Sequence, residues 1–161
     1  MSLLRGLISE NVDRHTKDIT TLTATASITT AAHSGRTLLM GEVGGDAAAT
    51  FTLPAATGTG SVFKFVVSVV NTSNYLVKVA DATDTIDGQI MITDADGTAA
   101  TSFVTAAASD TITLNGTTTG GGAIGDYVEL IDIASNQYTV SGMVTCAAGS
   151  NIATMFSATV S

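Results

Sequence analysis

The sequence predicts an all-β protein, an antiparallel β-sandwich or jelly-roll-like barrel, preceded by a short N-terminal arm or helix. Three observations carry this. From residue 19 onward apolar residues alternate with Thr and other polar residues at a period of two. Clusters of Gly, Asn, Asp and Ser cut that alternation into runs spaced about 8–14 residues apart, as in sandwiches and barrels. Residues 2–14 follow a different, helical period.

Taken in order, TLTATASITT (21–30) sets Leu22, Ala24, Ala26 and Ile28 against threonines. TLLM (37–40) and the run through 48–53 are short strands bounded by HSGR and GEVGGD. SVFKFVVSVV (61–70) is the strongest strand. Phe63, Phe65, Val67 and Val69 point one way, and Val62, Val66 and Val70 the other. A strand apolar on both faces lies centrally in a sheet or at a subunit contact. Further strands are expected in YLVKVAD (75–81), QIMIT (89–93), DTITLN (110–115), DYVELIDI (126–133) and QYTVSGMVT (137–145). Ile152, Met155 and Phe156 mark a closing strand, and Pro54 can end the strand before it. No helical run is expected after residue 18, and no fixed-period repeat is present.

The opening segment is amphipathic. On a helical wheel Leu3, Leu4, Leu7, Ile8 and Val12 fall on one half, and Ser2, Arg5, Gly6, Ser9, Glu10 and Asp13 on the other. A helix this short is marginal alone, and Gly6 weakens it by about 1 kcal/mol relative to Ala. It needs a surface, which its own domain, a sister subunit or another protein can supply. Three of the six basic residues (Arg5, Arg14 and Lys17) also sit here. We read residues 1–18 as a docking arm that orders on its partner, and 19–161 as a single β-sandwich domain.

Charge excludes several function classes. The formal net charge is −8, and no Lys or Arg follows Lys78. Nucleic-acid binders need clustered cations to neutralise phosphates, so no nucleic-acid partner is expected. No run of about 18 apolar residues is present, so no membrane span is expected. The N-terminus lacks the apolar stretch of a signal peptide, so synthesis in the cytoplasm is expected.

The chain offers few chemical motifs. GTTTGGGAIGD (116–126) has the glycines of a phosphate cradle, but a strand pattern follows instead of a helix, and no Lys is near. It reads as a mobile or tightly turned loop. DATDTIDG and TDADG space their Asp residues like calcium loops. Counted from Asp94, however, position 12 is Thr105, where an EF-hand needs an acidic ligand. Asx turns are the expected reading, with a looser oxygen-ligand site in a β-loop as the alternative. His15 and His33 cannot make a zinc site with the lone Cys146. Cys146 is expected to act as a small hydrophobe. There is no G-x-S-x-G elbow. No catalytic residue, cofactor or metal is assigned.

The run ATFTLPAATGTGSVFKFVVSVVNTSNYLVKV (49–79) resembles a segment of β-rich virion proteins of tailed bacteriophages, in which a "tLPaatGtG" turn joins a strand to an aromatic-alternating strand. DTIDGQIMI, DTITLNG, GDYVELIDIASNQYTVSG and FSATVS follow in the same order, so the resemblance spans roughly residues 20–161. The chain is similar to phage capsid decoration (cement) proteins, and less specifically to head-fibre and tail-fibre domains. The resemblance implies a non-enzymatic homotrimer on the outer capsid surface of the virion, clamping neighbouring major capsid proteins, made in the host cytoplasm before assembly. It also implies that the arm (Leu3, Leu4, Arg5, Leu7, Ile8, Val12 and Arg14) makes the capsid contact. The alternative is a fibre module that binds a host receptor or glycan.

Overall fold

The structure, a computed structural model, describes residues 19–41, 46–149 and 151–160. The arm residues Leu3, Leu4, Arg5, Leu7, Ile8, Val12 and Arg14 lie outside the described residues, as does the boundary at residue 18.

Among the described residues the short alternating runs form twelve strands: β1 (Ile19–Leu22), β2 (Ala26–Ser27), β3 (Arg36–Met40), β4 (Ala49–Thr52), β5 (Val62–Val67), β6 (Tyr75–Lys78), β7 (Thr85–Asp94), β8 (Ala100–Val104), β9 (Thr111–Leu114), β10 (Tyr127–Ala134), β11 (Gln137–Cys146) and β12 (Phe156–Ser157). They make two sheets. The first has seven strands in the order β1-β3-β5-β10-β11-β7-β8, and the second has five in the order β12-β9-β6-β4-β2.

Two mixed sheets sharing a core bear out the β class, but the antiparallel expectation needs correction. Of the ten described ladders, β1 with β3, β3 with β5, β2 with β4, β4 with β6 and β7 with β11 are parallel. The reason lies in the path of the chain. From β1 to β6 it crosses to the opposite sheet after every strand, so each strand meets its sheet-mate only after a full winding, running the same way. Ile19 pairs with Thr37, which pairs with Lys64. In the second sheet Ala26 pairs with Phe51, and Thr50 with Leu76. These windings are unequal in length, which hides them from any search for a fixed period. Hairpins return in the second half, where β7 with β8 and β10 with β11 are antiparallel. Neither described sheet closes into a barrel, and this winding order is not a jelly roll.

Two local expectations also change. The run 21–30 is not one strand, because the chain turns between the sheets after Leu22. A single helical turn, α1 (Thr30–His33), follows, with the Thr29 side chain accepting from the Ala32 amide at 3.4 Å. The cap and the two alanines suit a helical turn better than a strand end.

The core lies between the sheets. Phe51 of the second sheet stacks on Phe65 of the first at 5.8 Å between centroids, and on Tyr75 at 6.1 Å. Phe63 meets Tyr138 edge-on at 6.4 Å. Buried hydroxyls find carbonyls: Tyr138 donates to Pro54 O at 2.8 Å, and Tyr75 shares its proton between Gly41 O and Val69 O, 2.8 Å from each.

The corner from β4 to β5 (54–61) is held by carboxylates. Asp132, on the inward side of β10, accepts from the amides of Thr57 (3.0 Å), Gly58 (2.6 Å) and Thr59 (3.0 Å), and from the Thr59 hydroxyl (2.7 Å). Burial pushes its carboxyl up, but the bonds from Thr59, Gly58 and Thr57 outweigh this and hold it below the ordinary value. Asp84 accepts from the Ala56 amide at 3.2 Å. Its carboxyl is raised, first by burial and then by Asp81 and Asp132.

Asp132→Ala strips a buried corner of its acceptor and should lower stability by about 2–4 kcal/mol in urea denaturation. The native carboxyl titrates below its unfolded value. Its contribution is therefore complete above the unfolded value near pH 4 and lost as pH falls through the folded value. In Asp132→Asn the acid-side fall in stability should flatten. Gly88 has φ +143, and a Cβ there would lie 2.1 Å from Val140 O on β11. Gly88→Ala should therefore part β7 from β11 or prevent folding, read as loss of the cooperative thermal transition.

Candidate interaction surface

The outer face of the seven-stranded sheet holds the most exposed apolar surface of the described chain. Its register can be followed strand by strand. One row places Thr21, Leu39, Val66, Tyr127, Met143, Met91 and Ser102 side by side on β1, β3, β5, β10, β11, β7 and β8. The five central members are apolar or aromatic. Met91 is 48% exposed and Met143 53%, whereas their sequence neighbours Ile90, Ile92 and Val144 are buried. A solvated sheet face ordinarily carries polar residues at such positions. Methionine also adapts its shape to a partner.

The adjacent row places Ile19, Thr37, Lys64, Glu129, Ser141, Gln89 and Val104 beside one another. It carries one cation and one anion. Lys64 Nζ lies 4.6 Å from the Tyr127 ring centroid, a cation–π geometry that fixes the ring on the face. Beyond lie Val62, Ile131, Thr139 and Asp87 in register, with Gln137 Nε2 donating to Asp87 at 2.8 Å. Two open grooves border the methionines. One runs beside Tyr127, Gly125 and Thr145, the other beside Ser141, Gln89 and Ser102. The face is nearly charge-balanced, although the chain as a whole is strongly acidic.

The sequence motifs fall elsewhere and do structural work. In the glycine loop, Asn115 Oδ1 accepts from the amides of Thr117, Thr118 and Thr119 at 2.8–3.0 Å. A Cβ on Gly120 would lie 2.6 Å from Val144 Cβ. The loop is thus tightly turned against β11. Asp126 seals it by accepting from Thr145 N at 2.8 Å and Ala123 N at 3.3 Å. Burial raises its carboxyl despite these bonds. The Asp-rich stretches form Asx turns, with the Thr83 amide on Asp81 Oδ1 at 2.8 Å and the Asp96 amide on Asp94 Oδ1 at 2.9 Å. Among the described residues, no group of three His, Cys, Asp or Glu side chains is placed to hold a metal ion. Cys146 is buried, and burial followed by the charge of Asp94 pushes its thiol up, which disfavours the reactive thiolate. His33 Nδ1 lies 3.0 Å from its own cap's amide, Thr29 N.

Sequence reasoning found only a small part of this surface. The two-sided apolar pattern of 61–70 flagged Val62 and Val66. It passed over Met91 and Met143, whose signal was parity alone: in QIMIT and SGMVT the methionine sits out of phase with buried Ile90, Ile92 and Val144. Comparison with protein-family models, curated proteins and solved structures finds no match for the chain.

Replacing Met91 and Met143 together by Ser should leave unfolding free energy within about 1 kcal/mol, since both are surface positions. The same variant should bind clearly less of a fluorescent hydrophobic dye, measured by titration of the folded protein.

Proposed function

We propose that the protein is a structural component of a tailed-phage virion, a capsid decoration protein that binds the outer head surface and stabilises contacts between major capsid proteins. The binding role is carried by the outward apolar row of half-buried Leu39, Val66 and Tyr127 with exposed Met143 and Met91. The virion assignment rests on the resemblance, and the segments that bear it cooperate in this fold. The TLPAATGTG turn is bonded to Asp132 of GDYVELIDI, and DTIDGQIMI and QYTVSG pair along β7 and β11.

In this reading the action is mechanical. The outer face, with arm residues Leu3, Leu4, Arg5, Leu7, Ile8, Val12 and Arg14, buries surface across neighbouring capsid subunits. Rupture of the shell must then first break those contacts, and binding stabilises the assembled state by mass action. A homotrimer at a local threefold axis, with no enzymatic step and no nucleic-acid contact, completes the proposal.

The test is location and dependence. Electron microscopy of purified particles should place the protein on the outside of heads. Met91→Asp with Met143→Asp should weaken its binding to bare heads at least tenfold in a sedimentation assay. Density on tails, or binding to a glycan array, would replace this reading with the fibre module.

A further inference from the structure

We infer that the free edge of β8 is a self-pairing site, which takes β8 of a second copy of this chain, antiparallel, about a two-fold axis at Ser102. The site needs only the described sheet and holds whatever particle the protein joins.

The main chain calls for a strand as occupant. β8 ends the seven-stranded sheet, with β7 on one side. Thr105 N donates to Gly88 O at 3.0 Å and Asp94 N to Ala99 O at 2.9 Å, which fixes the phase of the ladder. Main-chain groups alternate in direction along an antiparallel strand, so residues 99, 101, 103 and 105 turn theirs toward β7. Ala100, Ser102 and Val104 therefore turn N–H and C=O outward, where no described strand meets them. Another extended backbone matches a row of donors and acceptors at that spacing.

Nothing guards this edge. Proteins ordinarily block an open edge with a charge, a proline, a bulge or a very short strand. The edges of the second sheet, β12 and β2, are two residues each. β1, at the far side of the first sheet, follows directly on Lys17 and Asp18. β8 has five residues, its register with β7 is unbroken, and no charged residue or proline occurs from Gly97 to Ser109. Ala100, Thr101, Ser102 and Val104 are exposed, Val104 by 69%.

Self-complementarity selects a second copy. With the axis at Ser102, Ala100 lies beside the second copy's Val104, Ser102 beside its Ser102, and Thr101 beside its Phe103. Large side chains meet smaller ones, and roughly six main-chain hydrogen bonds close the junction. The paired segments are neutral, which lets two copies of net charge −8 meet there. The side chains of Ala100, Ser102 and Val104 share the outer face with Thr93, Met91 and Gln89. The junction thus leaves the apolar row uncovered and continues it, through Ser102, into the second copy's Met91 and Met143. Being two-fold, it would link one trimer to the next rather than build a trimer. A strand about 17 Å long buries far less than the roughly 800 Å² each partner gives to a stable interface, so the junction forms where copies are crowded.

Cysteine trapping in the full chain tests this, because a covalent bond captures a weak pairing. Under mild oxidation at high protein concentration, Ser102→Cys should give a disulfide-linked dimer at least tenfold faster than Ala100→Cys or Val104→Cys alone, read on a non-reducing gel. Those two variants, mixed, should crosslink to each other about as fast as Ser102→Cys does to itself. Buried Cys146 makes the unsubstituted protein the blank. Equal rates for the three single variants would mean random collision and would overturn the inference. So would fastest crosslinking by Val104→Cys alone, its most exposed position, or no crosslink at Ser102→Cys, which would leave the edge to another strand.

Discussion

The β4-to-β5 corner is the constraint on which this architecture depends. A chain that changes sheet after each strand must turn across the edge of the core and leave backbone amides pointing inward. At residues 54–61 these amides meet the Asp132 carboxylate, with Asp84 taking Ala56 and the Tyr138 hydroxyl reaching Pro54 O. Donors and acceptors from β10, β11 and the approach to β7 thus converge on one loop. A neutral acceptor would satisfy fewer of these amides and hold them less tightly. The corner fixes how β5 enters the sheet, and β5 is the strand on which β3 and β10 both pair.

The strands themselves were legible because burial leaves a period-two trace in the sequence. SVFKFVVSVV showed its central position through its two apolar sides, and it lies third of seven in its sheet. Strand direction was not legible. Alternation says which side chains face the core, but it is identical for a strand returning by a hairpin and one returning by a winding. TLTATASITT misled for a related reason: small residues and threonines suit a turn between sheets as well as a strand, and nothing marks Thr23 as a corner. Asp132 was readable in principle. It continues the inward parity of Val128 and Leu130, and a carboxylate on that side must find donors.

The same parity locates the outward apolar row. Met91 and Met143 are conspicuous only once β7, β11 and β10 are aligned, because three separate segments contribute neighbours. The glycine loop and the aspartates, which drew attention as chemistry, are instead the means by which irregular backbone satisfies itself. Asp126, Asp110 and Asn115 each accept several main-chain amides that lie outside the ladders. Much of the acidity is therefore tied to loop geometry rather than laid out for a cation.

The unequal windings bear on how the chain reaches this state. In the first half, neighbouring strands come from segments some two dozen residues apart, so pairing must first close long loops against entropy. The hairpin of β10 with β11 needs only Ser135 and Asn136 to turn, Asn136 at φ 63, and local hairpins form in microseconds. The later-synthesised half thus holds the early-forming contacts. It offers β10 as the edge on which β5, and then β3 and β1, can be laid. Contact separation alone would then order assembly from the middle of the sheet outward, opposite to the order of translation.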